Sequence, residues 1–146
     1  MSINPIPKGY NTLTPFLVVT NGAEIIEFLQ NAFNAEEMYR MTDPEGGIMH
    51  AELRLGNSMI MIGEALADNK PWPNMLYFYT KDVDSVYEQA LEAGARSVSE
   101  PANHYYGDRN AGITDPAGNM WWIATHIEDV TPEEIKKRVE LSQEVA

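Results

Sequence analysis

The chain contains no cysteine, which removes disulfides, thiolate nucleophiles and thiolate metal sites. It is also poor in positive charge. Ten Lys and Arg stand against 22 Asp and Glu, for a formal net charge of −12. That balance argues against nucleic acid and anionic membranes, which need basic patches, so neither is expected as a partner. No apolar run approaches the roughly 20 residues of a membrane span. Residues 1–11 (MSINPIPKGYN) lack the apolar core of a signal peptide, and a cytoplasmic protein is the expectation.

What is present is an ordinary globular composition. The 146 residues suffice for one domain, or for two small modules sharing a core. Residues 1–12 read as an extended arm. Thr14–Thr20 (TPFLVVT) reads as a strand, and Asn21 with Glu24 three residues on has capping-box spacing. The helix it opens runs to Phe33, with Ile25, Ile26, Leu29 and Phe33 as its buried stripe. Glu36–Thr42 is a strand, and Asp43–Gly47 a turn. Ile48–Leu55 (IMHAELRL) alternates, with Met49, Ala51, Leu53 and Leu55 on one face and His50, Glu52 and Arg54 on the other. Gly56-Asn57 turns into the strand Ser58–Glu64, whose Met59 and Met61 are expected to fill core gaps against the first helix.

A linker, residues 65–74, carries Trp72 between two prolines, as a lid or as a clasp onto a partner. The order then begins again. Met75–Thr80 is a strand, and Asp82 caps a helix from Val83 to Ala93 that Gly94 ends. Arg96–Glu100 is extended and Pro101–Tyr105 a loop. The last hairpin turns on Asp115-Pro116-Ala117-Gly118-Asn119, where Pro116 pre-sets φ and Gly118 allows a positive one. Thr131-Pro132-Glu133-Glu134 opens a charged helix spanning 131–143. Module one thus covers about 12–64 and module two about 75–126. Phe16 and Tyr77, like Glu27 and Glu88, are spaced by about 61 positions in this register. Each half is a βαβββ unit whose helix covers one sheet face and leaves the other bare, and two bare faces can enclose a cavity.

This layout resembles the vicinal oxygen chelate superfamily of glyoxalase, bleomycin-resistance and dioxygenase proteins. HAEL at His50–Leu53, YGDR at Tyr106–Arg109, DPAGNMWWIATH at Asp115–His126 and the closing EDVTPEEIKKR resemble its PhnB-like branch. The resemblance implies an α+β fold, with a cavity between curved mixed sheets, and a homodimer that exchanges modules or completes its cavities across the interface. It also implies metal ligands on the first and last strand of each half. Those positions fall on Thr14, Met75, Trp122 and Ile60 (or Met61 one residue along), none of them a suitable divalent-metal ligand. No metal and no cofactor are therefore expected. His50-x-Glu52, with His104, His126 and Glu64, is the alternative source of ligands; a polar cavity wall is the simpler role for the pair.

Strand alternation names the cavity lining: Phe16, Tyr77, Tyr79 and Trp122, with His50 and Glu52 as polar points. The bland alternative is that the aromatics pack together as core. Arg109 is a ligand-binding candidate as a fork for a carboxylate or phosphate, or else a local brace with Asp108. Three functions follow: a metal-free small-molecule-binding protein; a metal-dependent lyase, isomerase or dioxygenase with a shifted ligand set; or a metal-free enzyme with His50 or Glu52 as general base.

Overall fold

The computed structural model describes residues 2–67 and 70–145, so Asp68 and Asn69 of the linker lie outside the described residues. Eleven elements run in the order β1 (Phe16–Val19), α1 (Gly22–Phe33), β2 (Glu36–Thr42), β3 (Ile48–Leu55), β4 (Ser58–Glu64), β5 (Met75–Tyr79), α2 (Val83–Glu92), β6 (Arg96–Asn103), β7 (Asp108–Thr114), β8 (Met120–His126) and α3 (Pro132–Val145). They form two four-stranded sheets of equivalent order, β1-β4-β3-β2 and β5-β8-β7-β6. In each, the first strand pairs parallel to the last and the others pair antiparallel. The architecture is α+β, two βαβββ modules of the glyoxalase/bleomycin-resistance type.

The helices start where side chains replace missing partners. Asn21 Oδ1 accepts from Glu24 N at 3.3 Å, and Glu64, at the end of β4, accepts from Gly22 N at 2.9 Å. Asp82 accepts from Ser85 N at 3.2 Å at the head of α2. Burying Ile25, Ile26 and Leu29 contributes about 1.5–3 kcal/mol per side chain. Helix α1 covers one face of the first sheet, α2 one face of the second, and the two helices pack on each other. Phe33 at the end of α1 reaches across to Phe78 and Trp121, with ring centroids 4.7 and 5.0 Å away. One core therefore joins the helix-facing sides of both sheets. Their other faces remain open within a single chain: Phe16 and Tyr77 are 44% exposed, Tyr79 61% and Met75 72%.

Three expectations change. The β2–β3 ladder slips between Met41 and Thr42, where Ile48 and His50 are the successive partners. This bulge turns Ile48 into the core and leaves Met49 exposed. Met61 pairs with both Phe16 and Glu52, so it lies on the open face, away from α1. Strand β6 continues through Pro101 to Asn103, and the ladder shifts between Ser99 and Ala102 absorb the missing proline donor.

Candidate functional site

The open face of the second sheet is built by residue parity. Tyr77 pairs with Trp122, Tyr79 with Ala124, Asn110 with Ala124, Gly112 with Trp122 and Asp108 with His126, so these side chains share one face. Trp122 can lie across the sheet because its neighbour is Gly112; a Cβ there would sit 2.9 Å from the indole. On the first sheet Gly63 does the same for Phe16, whose ring edge is 3.3 Å from the equivalent point.

The centre of the second face is Asp108, 4% exposed. Its Oδ2 accepts from the Tyr77 hydroxyl at 2.6 Å and the Tyr79 hydroxyl at 2.9 Å. Its Oδ1 lies 2.8 Å from His126 Nδ1, and His126 Nε2 is 2.7 Å from Asp129. Asn110 Nδ2 donates to the Tyr77 hydroxyl at 3.2 Å and to the Tyr106 hydroxyl at 2.7 Å. Tyr106 in turn stacks on His104, rings 8° apart. Burial pushes the Asp108 carboxyl up, but the hydrogen bonds from Tyr77, His126 and Tyr79 outweigh it and hold the group below the usual carboxylate range. Burial, then the bond to Asp108, drives the Tyr77 hydroxyl up; for Tyr79 the bond to Asp108 is the larger cause. Asp108 and then Asp129 raise His126.

On the first sheet His50 Nε2 lies 3.6 Å from Glu52 Oε2, with Phe16 beside His50 at 6.0 Å between centroids. Arg109 lies elsewhere. It is on the helix side of β7, where Nε and Nη2 donate to Asp84 at 2.9 and 2.8 Å and Nη1 to Asn103 at 3.1 Å. Its partner is thus Asp84 of α2, across the sheet from Asp108, and its guanidinium is committed to a helix–strand clamp. The alternative ligand sources are scattered: Glu64 caps α1, His50 and Glu52 occupy the first sheet, and His104 and His126 belong to the second module. Among the described residues no three His, Asp or Glu side chains gather as a metal-binding group. The ladder sets Met61 opposite Phe16 as it sets Trp122 opposite Tyr77, which selects Met61 over Ile60 as the last-strand position. An open groove of about 520 Å³ runs between the β3–β4 hairpin and the β5 edge, with Tyr77 and Tyr79 in its wall.

The sequence places Tyr77, Tyr79 and Trp122 on this face, but it offers Asp108 only as a possible brace for Arg109 and gives Asn110 no role. The available signal was period two along β7: Asp108, Asn110 and Gly112 fall on one side, and two polar residues on the inner side of a central strand demand partners.

The repeated βαβββ topology, with a bare aromatic face on each sheet, defines a class, and the sequence matches it. The chain belongs to the Glyoxalase/Bleomycin resistance protein/Dioxygenase superfamily, whose family model matches residues 10–123. An uncharacterized protein of Mycobacterium bovis is 31% identical over 147 residues, covering 93% of this chain and 94% of the relative. Among solved structures, TioX from Micromonospora sp. ML1 superposes with a TM-score of 0.69 at 20% identity, covering 80% of this chain and 99% of TioX. The fosfomycin resistance protein FosX from Listeria monocytogenes gives 0.63 at 21% identity, over 86% and 97%. These two likenesses show the shared fold.

Proposed function

We propose that the protein is a PhnB-like member of this superfamily that binds a small molecule in an aromatic-lined cavity, without a metal, and that a second copy completes the cavity. The observation that carries this reading is the exposure of Phe16, Met75, Tyr77 and Tyr79 on sheet faces that no helix covers. Exposed apolar area of this kind marks ligand or subunit contacts, and a twofold pairing of chains covers both faces at once. The fosfomycin resistance protein FosX has the same fold, and the small molecule in its name fits this reading. The family's metal positions hold a hydroxyl at Thr14, thioethers at Met61 and Met75, and an indole at Trp122. That donor set does not fit a divalent ion, which takes imidazole and carboxylate ligands.

A second reading rests on the His50–Glu52 approach: a metal-free enzyme in which one of the pair is a general base. Loss of turnover in His50→Ala with ligand binding retained supports it. The primary reading is tested by exposing tag-free protein to nickel, zinc, iron and manganese, desalting, and measuring bound metal alongside sedimentation velocity. A dimer with only trace metal is the expected result. A stoichiometric metal or a strictly monomeric protein overturns the corresponding part of the proposal.

A further inference from the structure

The hydrogens of the Asp108 cluster can be counted one by one. Tyr77 and Tyr79 each have a single hydroxyl proton, and both are donated to Asp108. Tyr77 therefore accepts from Asn110, which fixes the Asn110 amide with its nitrogen toward the tyrosines. The two amide protons then go to Tyr77 and Tyr106. His126, whose two nitrogens face Asp108 and Asp129, spends its protons on carboxylates. Of this set, Tyr106 alone keeps a hydroxyl proton that is not already placed.

Acceptors are in surplus. Among the described residues the Tyr79 oxygen donates but accepts nothing, Tyr77 has used one of two lone pairs, and Asn110 Oδ1 is buried with no partner, as is His104 Nε2 behind Tyr106. Around them lie the π-faces of Tyr77 and Tyr79, 5.4 Å apart and edge-on, and that of Trp122. With His126 protonated, Asp108 and Asp129 still leave the cluster one unit negative, inside a chain of net charge −12.

From this proton count we propose that the Tyr77–Tyr79–Asp108 face binds an organic cation carrying N–H donors on a flat body, an aromatic ammonium or amidinium. Its N–H groups meet the tyrosine oxygens and its charge meets the ring faces and the unbalanced carboxylate. For an anionic ligand the unplaced donors among these side chains are the Tyr106 hydroxyl and the Trp122 indole N–H, set beside a cluster that is one unit negative. This inference rests on the small-molecule reading above.

The test is calorimetric titration of the wild-type protein with benzamidinium, benzoate and neutral benzyl alcohol. Benzamidinium is expected to bind about tenfold or more tighter than either of the others, the scale of one desolvated cation–π contact. Asp108→Asn frees the tyrosine protons to turn outward, so in a variant that keeps its far-ultraviolet circular dichroism this preference should shrink or reverse. Benzoate or benzyl alcohol binding as tightly as benzamidinium to the wild type overturns the cation assignment and leaves the cavity standing. No binding of any of the three overturns both.

Discussion

Burying the Asp108 carboxylate costs on the order of several kcal/mol before any partner is counted. Two phenols and an imidazole offset that cost. Asp108→Ala removes those three bonds, but Tyr77, Tyr79 and His126 are partly exposed and turn to water, so urea denaturation should show a loss of about 1 kcal/mol. The same carboxylate raises His126, so the sign of its pH dependence is set. The contribution of His126 is fully present below the unfolded value near 6.5 and is lost as pH rises through the higher folded value. Asp108 is shifted the other way; its contribution is present above the ordinary value of 3.8 and lost as acid is added past its lower folded one. The pH-dependent part of the stability difference between wild type and His126→Ala should therefore be largest near about pH 5.5, between those two limits, and vanish in alkali, where the neutral hydrogen bond alone remains. A His126 resonance in proton NMR that titrates at or below 6.5 would contradict the geometry.

At the scale of elements, the last hairpin shows what the sequence could and could not reveal. The turn was legible because Pro116 and Gly118 have only a few uses, and Gly118 does take a positive φ of 90°. The role of Asp115 was not, since it depends on a tertiary arrangement. Its carboxylate, 5% exposed, accepts from Ala117 N, Asn119 N, Asn119 Nδ2 and, at 2.8 Å, the indole of Trp121. Asp115→Ala should cost about 3 kcal/mol in thermal denaturation, since it leaves a buried indole N–H and two backbone donors unpaired. The β6–β7 connection carries a second constraint. Gly107 has φ 98°, and a Cβ there would lie 2.1 Å from the Glu128 carbonyl oxygen. Gly107→Ala should destabilise by about 2 kcal/mol or more and displace Asp108, its chain neighbour. Strand parity also put Phe16, Tyr77, Tyr79 and Trp122 on the open faces. It fails at Met49, where a bulge resets the count, and the core role expected of Met61 yields to the register that sets it opposite Phe16. Arg109 was ambiguous from sequence because its partner, Asp84, is 25 residues away on α2.

For the whole molecule, the uncovered faces are the surface on which the proposed pairing of copies is tested. If a second copy covers them, unfolding is linked to assembly, and the urea midpoint should rise with protein concentration. A midpoint independent of concentration would mean that the faces are wet in solution. The charge of −12 opposes that association, so added salt should strengthen it.

The seam between the modules has a consequence during synthesis. All ladders of the first sheet close by Glu64, so that half can assemble while the rest of the chain is still within the ribosome or not yet made. Until Phe78 and Trp121 emerge, Phe33 at the end of α1 lacks the two rings it packs against across the seam. A nascent chain halted between the two halves is accordingly the form of this protein that presents a greasy helix to its surroundings, and the one a chaperone would hold longest.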